Sequence, residues 1–180
     1  MAKIYYDQDA DLNLLKGKKV ALVGYGIQGR GQALNLRDSG VEVIISQRKG
    51  GKNYDLAVQD GFEPVEVEEA APQADIIQIL TQDHLQAEIY TKGIAPYLKE
   101  GKALLFSHGF NIHFGYIKPL KNIDVYMVAP KGPGALVRSQ FLEGGGEFLF
   151  PRRLARRLQM GQHVRRFAQR RHHSVLPAAA

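Results

Sequence analysis

Three glycines, Gly24, Gly26 and Gly29, stand at the G-x-G-x-x-G spacing that cradles a pyrophosphate. In such a loop Gly24 permits the tight turn, Gly26 lets the backbone approach the phosphates, and Gly29 lets the helix pack close to the strand. The N–H groups that open the following helix then face the anion. The plainer reading is an ordinary turn between a strand and a helix. The next segment, Ser46-Gln47-Arg48-Lys49-Gly50-Gly51-Lys52-Asn53, bears on which dinucleotide is held. A site built for NAD has an acid about 20 residues past the loop to take the ribose 2′-hydroxyl. No acid occurs here until Asp55. Arg48 can fork onto a 2′-phosphate, with Lys49 or Lys52 adding charge, which favours NADP. A solvated basic loop is the alternative. His108 and Lys131 are candidates for chemistry on a substrate. A histidine beyond a strand end can donate to a substrate oxygen or relay a proton, or it can simply tie its loop to a carbonyl. Lys131, between Pro130 and Gly132, can meet an anion or be a turn lysine. His113, five residues past His108, reads as structural.

These residues need elements to position them. Lys18 to Val23 is a short apolar run entered from lysines, as suits a buried strand, and the glycine loop follows at once. The spacing of Ile27, Ala33, Leu34 and Leu36 predicts a helix ending near Ser39-Gly40. Further strands are expected over 41–45, 62–65, 74–80, 102–106 and 124–128. Helices are expected over 54–59, 67–71 (stopped by Pro72), 84–90 and 94–98. Strands alternating with helices predict an α/β fold: a three-layer, doubly wound, mostly parallel sheet of the Rossmann-like dinucleotide-binding type.

The chain has 180 residues, no Cys and a formal net charge of +6. Absence of cysteine excludes disulfides, thiolate metal ligands and a thiol nucleophile. Apolar runs fall far short of the ~20 residues that span a bilayer, and the N-terminus lacks a secretion signal, so a cytoplasmic protein is expected. The charge is uneven. Residues 147–180 contain 8 Arg, no Lys and 1 acid, whereas everything before them is nearly neutral. The break predicts a dinucleotide-binding domain over 1–146 and a separate Arg-rich tail over 147–180.

Four segments in order carry a resemblance: Gly24-Tyr25-Gly26-Ile27-Gln28-Gly29, Asn35-Leu36-Arg37-Asp38-Ser39-Gly40, Phe106-Ser107-His108-Gly109-Phe110-Asn111-Ile112-His113-Phe114-Gly115, and Val128-Ala129-Pro130-Lys131-Gly132-Pro133-Gly134. From about Lys3 to Gly146 the chain resembles the N-terminal domain of ketol-acid reductoisomerase. The resemblance implies conversion of 2-acetolactate or 2-aceto-2-hydroxybutyrate, both 2-hydroxy-2-alkyl-3-keto acids, to dihydroxy acids of branched-chain amino-acid synthesis. It implies magnesium as Lewis acid for the alkyl shift and NADPH as hydride donor. It places Tyr25, Ile27 and Gln28 on the pyrophosphate and Arg48 on the 2′-phosphate. It also puts Asp83, His84, Leu85 and Gln86 in a cofactor-contacting loop, Gly134 at another close backbone approach, and His108 in the active site. Gly51 and Asn53 stand where many members have serines on the 2′-phosphate, which weakens that grip and leaves NAD use open. Ala135 stands where many members carry a histidine, so no role is carried over to it. A homo-oligomer is the family's habit.

The resemblance also exposes a gap. The family's magnesium ligands are acids in a second, helical domain, and this chain has only Glu147 after Gly146. Glu66, Glu68 and Glu69 read as a solvated helix face. No metal ligands are therefore assigned, and the chain is expected to be inactive alone. The tail does not resemble the family. Leu154, Leu158, Val164 and Phe167 can share a helix face opposite arginines. That pattern suits a basic amphipathic helix for nucleic acid or lipid, or a helix packed on the sheet. The favoured reading is an out-of-frame or fused stretch, disordered or loosely helical, with no metal site at His172-His173. The expected function is thus the cofactor-binding part of a ketol-acid reductoisomerase, with neither membrane nor nucleic acid as partner. The alternatives are an NADP(H)-binding module without catalysis and a binder of nucleic acid or membrane surface acting through the tail.

Overall fold

The computed structural model describes residues 11–130 and 132–145 in full, and the backbone of 149–153. Its centre is a six-stranded sheet in the order β2-β1-β3-β4-β5-β6, made of β1 (Lys19–Val23), β2 (Glu42–Ser46), β3 (Ile76–Ile79), β4 (Ala103–Phe106), β5 (Asp124–Pro130) and β6 (Leu149–Arg153). The first five strands are parallel and β6 pairs antiparallel with β5. The helices are α1 (Ile27–Asp38), α2 (Lys52–Gln59), α3 (Val67–Gln73), α4 (Asp83–Ile89), α5 (Phe110–His113) and α6 (Gly134–Leu142).

Both faces of the sheet are covered, which is why its strands are apolar throughout rather than alternating. Val20, Leu22, Ile76 and Leu105 pack with Ala33, Leu34 and Leu36 of α1 and Ala57 of α2 on one face. Ala21, Val23, Ile77, Ile79, Leu104 and Phe106 pack with Ala70 and Ala71 of α3 and with Tyr90, Ile94 and Leu98 on the other. The order reverses between β1 and β3. The chain moves outward from β1 to β2 and then returns to β1's other side, and open α/β sheets bind ligands at such a switch point.

The predicted three-layer parallel fold is what forms, with local departures. The helix at 67 does not stop at Pro72 but runs to Gln73, with Pro72 inside it. The carbonyls freed at its end are taken by Lys102, whose buried Nζ donates to the carbonyls of Ala71, Pro72 and Ala74 at 2.8, 2.8 and 2.6 Å. Expected strand 62–65 is reduced to one parallel bridge between Ser46 and Val65. Residues 90–94 form a π-helical turn and 95–97 a 3-10 turn where an α-helix over 94–98 is expected. Helices α5 and α6 are additions.

The expectation of a disordered or loosely helical tail is corrected at its start, since 149–153 is a strand. Its Pro151 lies on a sheet edge, where a residue without an N–H is tolerated. The helix face suggested for Leu154, Leu158, Val164 and Phe167 lies outside the described residues, as do His172 and His173. Among the described residues no helix is long and apolar enough to cross a membrane.

Candidate dinucleotide site

The predicted site residues fall on the loops and helix starts that follow the strands at the carboxyl edge of the sheet. Gly24–Gly29 follow β1, Arg48–Asn53 follow β2, Asp83–Gln86 follow β3, His108 follows β4 and Gly134 follows β5. Lys131 lies outside the described residues.

The glycine loop is shaped by its neighbours. Gly24 has φ +106, a conformation that L side chains rarely adopt, and a β-carbon there would lie 3.0 Å from Thr81 Cγ2. A β-carbon on Gly29 would fall 2.0 Å from the Gly24 carbonyl oxygen, so the helix can start against the turn only with glycine at that position. Around Gly26 the opposite holds: a β-carbon meets nothing within 4 Å, leaving open space over the backbone. Gly26 caps α1, and the first-turn N–H groups of Ile27, Gln28 and Gly29 have no carbonyl one turn back. No acid stands in that first turn to compete with an anion. These features fit the pyrophosphate of a dinucleotide.

Tyr25 anchors the loop from below. Its side chain is fully buried, and its hydroxyl donates to Asp60 Oδ2 at 2.8 Å. Burial, and then Asp60, push the phenol above its ordinary range. Arg30 forks onto the same carboxylate, Nε to Oδ2 at 2.6 Å and Nη2 to Oδ1 at 2.9 Å. The Arg30 bonds, and then the Tyr25 hydroxyl, hold Asp60 below the usual carboxylate range. Gln47, at the end of β2, accepts the Tyr25 N–H through Oε1 at 2.8 Å. It thereby ties the glycine loop to the segment that carries Arg48.

Arg48 is exposed and, among the described residues, pairs with no carboxylate. Gly51 caps α2, and Asn53 is exposed in that helix's first turn. The segment also meets the glycine loop at Ser46, whose carbonyl accepts the Gly24 N–H at 2.9 Å.

On the far side of the switch point, His108 Nδ1 lies 2.6 Å from Asp83 Oδ2. Buried Asn111 donates to the Asp83 carbonyl at 2.8 Å and to Gln86 Oε1 at 3.0 Å. Gln86, also buried, donates to the Thr81 carbonyl at 2.8 Å. The loops after β3 and β4 are thus one hydrogen-bonded unit, whereas His84 and Leu85 point outward and are exposed. His113 is exposed, edge-on to the Phe114 ring.

Gly134 joins the set through packing: a β-carbon there would lie 2.9 Å from Ile27 Cγ2 and 3.1 Å from Gln28 Nε2. Asn35 and Arg138 hold α6 in that position. Asn35 Nδ2 donates to the Val137 carbonyl at 3.0 Å, Arg138 Nη1 to Asn35 Oδ1 at 3.0 Å, and Arg138 Nη2 to Asp38 Oδ2 at 2.6 Å.

Sequence reasoning passed over Gln47, Asn111 and Arg138 as parts of this arrangement. Gln47 is detectable as the residue standing where an acid is usual. Asn111 and Arg138 carry no such signal. Among the described residues no three His, Asp or Glu side chains group as a metal site.

The description "acetohydroxy acid isomeroreductase, NADPH-binding domain" matches residues 14–151. The chain belongs to this family. It is similar to the ketol-acid reductoisomerases (NADP(+)) of Pyrobaculum islandicum and Leptospira biflexa, each 60% identical over 146 residues, 81% of this chain and 44% of the relative. It is also similar to a solved NADH-preferring ketol-acid reductoisomerase from an uncultured archean. That match has TM-score 0.78 and 43% identity, covering 84% of this chain and 48% of the other. The chain therefore spans less than half the length of the reductoisomerases it matches.

Proposed function

We propose that this chain is the NADP(H)-binding part of a ketol-acid reductoisomerase. The observation that carries the reading is the meeting of an open glycine loop with the Asp83–His108 pair at the switch point of a sheet of this family. When bound, NADPH supplies a hydride. The α1 amides and Gln28 hold the pyrophosphate, Arg48 takes the 2′-phosphate, and Gly134 leaves room for the Ile27 and Gln28 side chains. Asp83 accepts the proton-bearing Nδ1 of His108, which leaves Nε2 facing away as the atom that exchanges a proton with a substrate oxygen. Lys131 adds positive charge for an acidic substrate.

The substrate class is a 2-hydroxy-2-alkyl-3-keto acid such as 2-acetolactate. Magnesium belongs to the reaction as the family runs it, and no step is assigned to it on these residues. We place the domain boundary near Gly146, with β6 an edge strand added to the sheet from beyond it, the protein in the cytoplasm, and the whole protein as a homo-oligomer. Arg48 favours NADP. Gly51 and Asn53 bring no hydroxyl to the phosphate, and the NADH-preferring relative keeps NAD as the second reading.

Calorimetric titration of the chain with NADPH and NADH tests the binding, and NADPH consumption with 2-acetolactate and magnesium tests turnover. NADPH binding tighter than NADH is expected, without turnover at an enzyme's rate. If neither nucleotide binds, the reading fails.

A further inference from the structure

One row of the sheet contains a residue that packing alone does not explain. In register across the sheet, Ile45, Leu22, Gln78, Leu105 and Tyr126 lie side by side. All are buried, and Gln78 is the amide among them, on a strand whose other residues are isoleucines. A buried amide without partners costs stability, so its bonds indicate why it is there.

Gln78 Nε2 donates to Gln32 Oε1 at 2.5 Å. With its oxygen so occupied, Gln32 must turn its NH2 the other way. That NH2 donates to Gln28 Oε1 at 3.2 Å and to Ser107 Oγ at 3.3 Å. Gln28 is one turn before Gln32 on α1, in the glycine loop, and Ser107 immediately precedes His108. Because the Gln28 oxygen accepts from Gln32, the Gln28 NH2 is the end left over, beside Gly134 at the start of α6. Each amide in the row has two unlike ends, so fixing the buried one fixes the polarity of the next.

We propose that Gln78 and Gln32 are positioning residues that act through Gln28. They hold its side chain with the NH2 end presented to the phosphates of a bound dinucleotide, and they tie Ser107, the neighbour of His108, to the same chain of bonds. The relay rests on the dinucleotide reading of the glycine loop proposed above. Reversing its polarity would turn the Gln28 oxygen toward the anion, which is repulsive where the NH2 is attractive.

Gln32→Glu performs that reversal. A carboxylate at 32 still accepts from Gln78 but cannot donate to Gln28, which then flips to donate to it. NADPH affinity, measured by calorimetry on the full chain, is expected to fall roughly tenfold in Q32E and roughly tenfold in Q28A. In the double variant the loss is expected to be no larger than in Q28A alone, because the end of the relay is already gone. Gln78→Met keeps the volume and removes the donor, so Q78M provides the same test if Q32E does not fold. It is expected to weaken NADPH several-fold in the wild-type background and not at all in Q28A. A merely structural role for the buried amides would lower the melting temperature and affect affinity independently of residue 28. If wild type binds NADPH and Q32E and Q78M bind within twofold of it, the relay is overturned. Losses that multiply with that of Q28A overturn it equally. Absence of NADPH binding to wild type would overturn the dinucleotide reading itself and the relay with it.

Discussion

His108 Nδ1 and Asp83 Oδ2 are 2.6 Å apart, joining the loop after β4 to the first residue of α4. A carboxylate in that position selects the tautomer with its proton on Nδ1 and aims Nε2 away from the loop. In Asp83→Ala the Nδ1–H form should lose its advantage. Nitrogen-15 shifts of the His108 ring would report this directly, with the Nε2–H form appearing in the variant. Because His108 is well exposed, folding stability should change by less than about 1 kcal/mol.

Arg48 governs the choice of nucleotide. Arg48→Ala should weaken NADPH by roughly 10- to 100-fold, the range of a charge-assisted bond to phosphate, and leave NADH within about twofold. Equal losses for both nucleotides would place Arg48 elsewhere than on the 2′-phosphate. Calorimetry with the two nucleotides side by side separates these outcomes.

The strand–loop–helix from Lys19 to Asp38 is legible in the residues alone because every level agrees: an apolar run, glycines where a side chain collides, and apolar spacing on α1. His108 and Asp83 are each legible as site residues, but their pairing is not, since 25 residues separate them and tertiary structure brings them together. Helix α6 carries no capping signal, and its position depends on Asn35 and Arg138, which lie about 100 residues apart. Strand β6 contradicts its own sequence cues. A proline within a run argues against a strand, and only an edge position next to β5 accepts it. Gln78 stands among isoleucines in the sequence without being marked as a site residue, and its role depends on Gln32, which only the fold places opposite it.

Asp60 makes the glycine loop sensitive to acid. The Arg30 bonds hold its carboxyl below the ordinary range, so the unfolded chain takes up this proton at higher pH than the folded one. Its contribution is therefore complete above about pH 4 and is lost as pH falls through the folded value. Asp60→Asn should cost about 1–2 kcal/mol at pH 7 and flatten the acid limb of a stability-versus-pH curve measured by urea unfolding.

Lys102 closes the end of α3. Burial, and then Lys99, hold its ammonium below the ordinary lysine range, while three carbonyls within 2.8 Å accept from it. Lys102→Met leaves those carbonyls without their donor and should destabilise the fold by about 1–3 kcal/mol, read from the urea midpoint. NADPH affinity should be unchanged, since Lys102 lies at the amino-terminal edge of β4, opposite the site.

The central claim is that a dinucleotide sits on the loop between β1 and α1. The most direct test is an NADPH titration of the nitrogen-15-labelled chain followed through its backbone amides. The largest shifts should fall on Gly26 to Gly29 and on Arg48 to Asn53, with smaller ones at Asp83 and His108. No shifts, or shifts gathered away from the carboxyl edge of the sheet, would contradict it.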